Sequence, residues 1–68
     1  MRQVVARNLR RIRREKGLSQ EELAFRAEVD RSYISMLEKG TYAASVTMLG
    51  KLATALDVEP AQLVSLRD

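Results

Sequence analysis

The chain contains neither cysteine nor histidine in its 68 residues. A fold of that length sits near the lower limit at which a chain buries enough surface to stand alone. No disulfide and no Cys/His zinc site can help it, so the apolar side chains must carry the fold. Only Phe25, Tyr33 and Tyr42 are aromatic. The core therefore has to be aliphatic. Few glycines and a single proline, Pro60, favour helices over a small β-barrel. The length sets the expectation of one domain over residues 1–68, all-α in class. Beginning at Met1, the chain reads as a whole small protein. No apolar run approaches the length of a bilayer-spanning segment, and the cytoplasm is the expected location.

The same absences narrow the chemistry. There is no thiol nucleophile and no imidazole for proton transfer near neutral pH. No glycine-rich loop is present to cradle a phosphate. The acids are scattered, and adjacent Glu21 and Glu22 point in different directions on a helix. No enzyme, no metal site and no cofactor is expected.

Apolar residues recur at helical spacing in five short runs. Val5, Leu9 and Ile12 share one face of a first helix over residues 2–16, which Gly17 can cap. Ser19 is a good N-cap, and Glu22 three residues on completes a capping box, with Leu18 as an apolar staple before it. The second helix covers residues 20–27 and buries Leu23, Ala24 and Ala27. Glu28, Val29 and Asp30 form a tight turn, with Asp30 as N-cap of a third helix over residues 31–38. Ile34 and Leu37 face inward there, and Lys39-Gly40 ends it. Ser45 caps a fourth helix carrying Leu49, Leu52, Ala53 and Leu56. Pro60 suits the first turn of a fifth, expected to carry Leu63, Val64 and Leu66.

Charge is unevenly placed. Up to Gly17 there are seven basic residues (Arg2, Arg7, Arg10, Arg11, Arg13, Arg14, Lys16) and one acid, Glu15. The rest of the chain has five basic and eight acidic residues. A basic segment on a small domain points to a polyanion; a solvated helix face is the plainer reading. Arg7, Arg10, Arg11 and Arg14 cannot all face the core. They are expected to raise non-specific affinity for such a polyanion and its salt dependence.

Residues 20–39 form two short helices across a tight turn. The segment Gly17-Leu-Ser-Gln-Glu-Glu-Leu-Ala24, followed by Val29, Ile34, Leu37, Glu38 and Gly40, resembles the Cro/repressor-type (XRE) helix-turn-helix transcription regulators. Ser45, Leu49, Leu52, Ala53, Leu56, Val58, Pro60 and Leu63 continue the likeness over residues 5–66. The resemblance implies a compact five-helix bundle of the phage-repressor DNA-binding-domain type. It further implies a sequence-specific regulator of double-stranded DNA, working as a homodimer on a near-palindromic operator. The third helix would enter the major groove, where base edges are distinguishable.

Carried over residue by residue, the resemblance places Arg31, Ser32, Ser35 and Met36 toward bases. Arg31 is the leading candidate, since Arg can grip guanine O6 and N7. Gln20, Tyr33, Lys39, Thr41 and Tyr42 are placed against phosphates, which set register rather than sequence preference. Arg13 and Glu38 would form a structural ion pair. Val64 and Leu66 are candidates for a dimer surface, Leu63 being core.

Plainer readings stand beside these. Arg31 can be a first-turn surface residue, Met36 a surface filler, and Tyr33 a ring packed on the scaffold with its hydroxyl exposed. Two departures from the family pattern are visible. Glu28 stands where the turn usually has Gly, at a cost of roughly 1–2 kcal/mol if its backbone is left-handed. The loop after Gly40 lacks the Arg or Lys that some relatives direct to the minor groove. A protein-interaction module remains the alternative class, with a protein partner possible but not indicated.

Overall fold

Each run of helical spacing becomes a helix in the computed structural model, which describes residues 1–66. The order is α1 (Arg2–Glu15), α2 (Gln20–Ala27), α3 (Arg31–Lys39), α4 (Val46–Leu56) and α5 (Pro60–Val64). This is the all-α five-helix fold expected from the sequence. α1 ends one residue earlier than expected and α3 one residue later. α5 stops at Val64, so Leu66 lies beyond the helix that was expected to carry it.

Helix starts follow local polar chemistry. Ser19 Oγ accepts from the Glu22 N–H at 3.0 Å, and Glu22 Oε1 accepts from the Ser19 N–H at 2.8 Å. Ser45 Oγ accepts from the Met48 N–H at 3.0 Å. These bonds answer donors that a helix start leaves unpaired. Asp30 departs from expectation. It occupies the cap position of α3 with extended backbone but makes no side-chain cap bond. The first-turn N–H groups of α3 are therefore not answered by its carboxylate.

Helix ends share one device. The chain turns back through left-handed backbone just past each of α1 to α4: at Glu28, Gly40 and Asp57 directly after α2, α3 and α4, and at Gly17 one residue further on, after Lys16. In each case the next N–H reaches a carbonyl five residues back: Leu18 to Arg13, Val29 to Ala24, Thr41 to Met36 and Val58 to Ala53, at 2.9–3.2 Å. This is the Schellman closure. Two of the four pivots are acidic rather than Gly: of the two turn shapes left open at Glu28 the left-handed one is found, at φ 59, and Asp57 is a second case. A Cβ at Gly40 would stand 2.6 Å from Gln3 Nε2, the movable end of an exposed side chain, so the left-handed backbone is the reason for glycine there.

The core forms where the helix stripes meet. Leu9 and Ile12 of α1, Leu23, Ala24 and Ala27 of α2, and Ile34 and Leu37 of α3 are buried together with Leu52, Ala53, Leu56 and Leu63. α1 packs on α3 and α5, α2 on α3 and α4, and α4 on α5. α3 is thus held from behind by α1 and α2, while α5 closes the far side.

One polar side chain in this interior escaped the sequence reading. Asn8 is fully buried on the α1 stripe. Its Nδ2 donates to the carbonyls of Leu63 at 3.0 Å and Ser65 at 2.8 Å. α5 has five residues and no left-handed closure of its own. Asn8 supplies from α1 the partners that the end of α5 needs.

Two stability measurements test this local chemistry. Glu28→Gly removes the side-chain penalty of left-handed backbone at a residue that is exposed. It should stabilise by about 1 kcal/mol, seen as a rise of about 4–8 °C in Tm; a fall would mean that the Glu28 side chain makes a needed contact. Bonds from Ser19 hold the exposed Glu22 carboxyl below the ordinary glutamate range. A lowered folded-state pKa means stability that is complete above the unfolded value, about 4.3, and is lost as pH falls through the folded value. Thermal melts from pH 7 to pH 3 should therefore show a larger loss for the native chain than for Glu22→Gln, whose amide can still cap.

Candidate nucleic-acid interface

The site is built around a buried ion pair. Arg13 Nε donates to Glu38 Oε2 at 2.7 Å and Arg13 Nη2 to Oε1 at 3.1 Å, a two-pronged grip. The side chains are 10% and 4% exposed. Arg13 Nη1 donates to the Leu18 carbonyl at 2.7 Å, tying the pair to the α1–α2 connection. Gln20 Nε2 donates to Glu38 Oε1 at 3.1 Å. Arg10 Nη2 donates to the backbone carbonyl of Glu38, also at 3.1 Å. Three helices thus converge on one residue near the end of α3. The pair was expected to be structural, and its burial moves it out of the weak surface class. Removing one partner of a buried pair typically costs 3–5 kcal/mol, because the other charge is stranded.

With its inner face and its end locked, α3 presents the rest outward. Arg31 and Ser32 in its first turn are exposed, and Ser35 and Met36 are half-buried one turn on. All four lie on the one helix, as the base-contact assignment requires. Of the candidate phosphate ligands, Lys39, Thr41 and Tyr42 are exposed at the C-terminal end of α3 and in the loop after it. Thr41 Oγ1 already donates to the Met36 carbonyl at 3.0 Å. Tyr33 is half-buried and packs against the core. Its ring meets Tyr42 edge-on, with centroids 6.0 Å apart and planes at 81°. Burial first, and then Tyr42, push its phenol above the usual range, so the hydroxyl stays a neutral donor. Gln20 is half-buried and committed to Glu38 rather than extended into solvent.

The arginines of α1 divide in a way the sequence did not reveal. Arg7 Nη2 lies 3.5 Å from the Leu66 carbonyl, on the α5 side. Arg11 is half-buried, with contacts of 3.4 Å to Glu15 and to Asn8 Oδ1. Arg10 and Arg14 lie on the side facing α3. Four arginines expected to act alike therefore meet different neighbours. Angle alone gave no signal: at about 3.6 residues per turn, positions 7, 10, 11 and 14 fall within about 100° of one another, with 7 and 14 nearly aligned, so height along α1 and the packed elements do the sorting. At the far end, Val64 is half-buried and Leu66 is 77% exposed. Of the two dimer-surface candidates, Leu66 is thus the one standing clear of the fold.

A short helix braced across a tight turn by two others, with a polar and basic outer face, defines a helix-turn-helix DNA-binding module. The chain belongs to the helix-turn-helix family HTH_3, whose model matches residues 9–63. These are DNA-binding transcriptional regulators of the XRE type, not enzymes. The chain is 44% identical over 68 residues to an uncharacterized HTH-type transcriptional regulator of Sinorhizobium fredii, covering 100% of this chain and 88% of that protein. It is 38% identical over 65 residues to control protein C.BamHI of Bacillus amyloliquefaciens, covering 94% and 80%. The crystal structure of the restriction-modification controller protein C.AhdI from Aeromonas hydrophila matches with a TM-score of 0.88 at 47% identity. That match covers 91% of this chain and 94% of that one.

The ion pair is open to a double-mutant test. Arg13→Met and Glu38→Leu should each destabilise by about 3–5 kcal/mol, and the double variant by clearly less than their sum. Urea melts of the four proteins measure this. Additive losses would show that the pair is not coupled.

Proposed function

We propose that the chain is a homodimeric, sequence-specific regulator that lays α3 into the major groove of a near-palindromic operator. The observation carrying this is the exposed first turn of α3, Arg31 and Ser32, on a helix fixed from behind by Arg13 and Glu38. α3 is a nine-residue helix, about 10–12 Å across with its side chains. The major groove, about 12 Å wide, admits such a helix. Arg31 is the guanine reader in this proposal, Ser32, Ser35 and Met36 contact neighbouring base edges, and Lys39, Thr41 and Tyr42 hold phosphates.

Body dimensions support the side on which the dimer forms. The domain measures 26 × 22 × 20 Å. Two copies in contact therefore place their centres about one body width apart. Recognition helices must be ~34–36 Å apart to read successive turns of DNA. α3 then has to lie away from the contact. The region of α5, with Val64 and exposed Leu66, meets that need, because α5 packs on α1 and α4 while α3 packs on α1 and α2. C.AhdI is named a restriction-modification controller and C.BamHI a control protein. This chain accordingly acts on the expression of a neighbouring operon, in the cytoplasm where that DNA lies. No described helix is long and apolar enough to cross a membrane.

Selection from a random duplex library at ~150 mM salt tests the reading. The expected product is a palindrome with half-sites about ten base pairs apart, in which Arg31→Ala relaxes the preference for one guanine per half-site. Weak binding with no enriched sequence would overturn it and favour the alternative of a protein-interaction module.

A further inference from the structure

Three cations converge beside the base-reading helix with no free acid to answer them. Arg10 and Arg14, one turn apart on α1, and Lys39, the last residue of α3, line an open hollow of about 170 Å³ with Gln20 and Ser35. That is room for roughly five or six waters of liquid volume. Glu38 is the one acid lining it among the described residues. Its carboxylate is committed to Arg13 and Gln20, so the ion pair is neutral and the other three charges remain.

A plainer account is that these cations simply cap the C-terminal end of α3. Arg10 does donate to the Glu38 carbonyl. A helix end carries only about half a negative charge, however, against three positive ones here. One bond also uses one of the five N–H donors of Arg10. Capping therefore leaves most of the charge and most of the donors unanswered.

The hollow is also placed well for DNA. A second hollow, of about 570 Å³, is lined by Ser19, Glu21 and Arg31, and Gln20 and Arg13 line both. Gln20 and Arg13 are thus common to both: Arg31 lines the larger, and Arg10 and Arg14, in the C-terminal half of α1, line the smaller. Arg7 and Arg11 line neither, engaged toward Leu66 and Glu15.

We propose that Arg10, Arg14 and Lys39 form a clasp for one DNA backbone phosphate per protomer, at a fixed distance from the bases read by Arg31. The proposal rests on α3 being the recognition helix. Arginine suits the role, since its planar donor fork can take two phosphate oxygens at once. The clasp makes α1 a register element of the interface and leaves Arg7 and Arg11 without a part in it.

The test uses the dependence of binding on salt. Each phosphate neutralised contributes about −0.9 to the slope of log K against log salt. Fluorescence anisotropy on a selected operator, or on random duplex of equal length if none is enriched, compares two charge-matched pairs. Arg10→Gln with Arg14→Gln should make the slope shallower by about 0.9 per protomer; Arg7→Gln with Arg11→Gln should leave it unchanged. Because Arg10 also braces α3, Arg14→Gln and Lys39→Gln are measured singly. Each should shift the slope the same way while circular dichroism melts stay native. Equal shifts from both pairs, or none from either, would overturn the clasp. An unchanged slope with operator preference intact sinks the clasp alone; loss of operator preference in the native chain sinks the recognition reading alone. Inorganic phosphate provides the last arm. Saturation of the hollow below 1 mM, followed by NMR of the arginine side chains, would make it a small-anion site and overturn the proposal; weaker, unsaturated shifts are expected.

Discussion

The arrangement of the reading surface depends on the carboxylate of Glu38. It is nearly the last residue of α3, and it is buried. A buried carboxylate must be matched, and here it is matched from two directions: by Arg13 of α1 and by Gln20 at the start of α2. The choice of partners turns an electrostatic requirement into a geometric one. α3 cannot rotate about its axis without misaligning a two-pronged grip that has distinct positions for both nitrogens. Apolar packing against Ile34 and Leu37 would tolerate such a rotation far more readily, because dispersion contacts are weakly directional. The ion pair is thus best understood as the element that sets which side chains of α3 face outward.

The five helices were legible because their signals are local. Ser19, Glu22, Ser45 and Pro60 each act within one turn of chain, and the aliphatic spacing between them leaves one reading of which faces meet. The pivot at Glu28 was raised by likeness to the family pattern, which usually has Gly there, and not by a local signal. Asp57 was not foreseen, although it plays the same part, because an acid after a helix has many other uses. What stayed hidden was mostly long-range. Asn8 bonds to residues 55 and 57 positions away. Its one local clue is a polar residue on the apolar stripe of Val5, Leu9 and Ile12. Gln20, assigned to phosphate by family likeness, is held in this structure by a residue 18 positions further on.

The basic first helix shows how far composition can take an argument. A count of arginines points to a polyanion without saying which of them meets it. The carbonyls and acids nearby sort them. Arg13 is consumed by the core, Arg7 and Arg11 are turned toward the C-terminal side, and Arg10 and Arg14 remain beside α3. Net charge alone would have treated these as one pool.

Asn8 and Arg13 lie five residues apart on α1, about 7.5 Å along its axis. One clamps the end of α5 and the other clamps the end of α3. Between them is unbroken helix, the stiffest connection a protein chain can make over that length. α1 is therefore a strut with a fixture at each end, and the placement of α5 and that of α3 are set by one rigid piece.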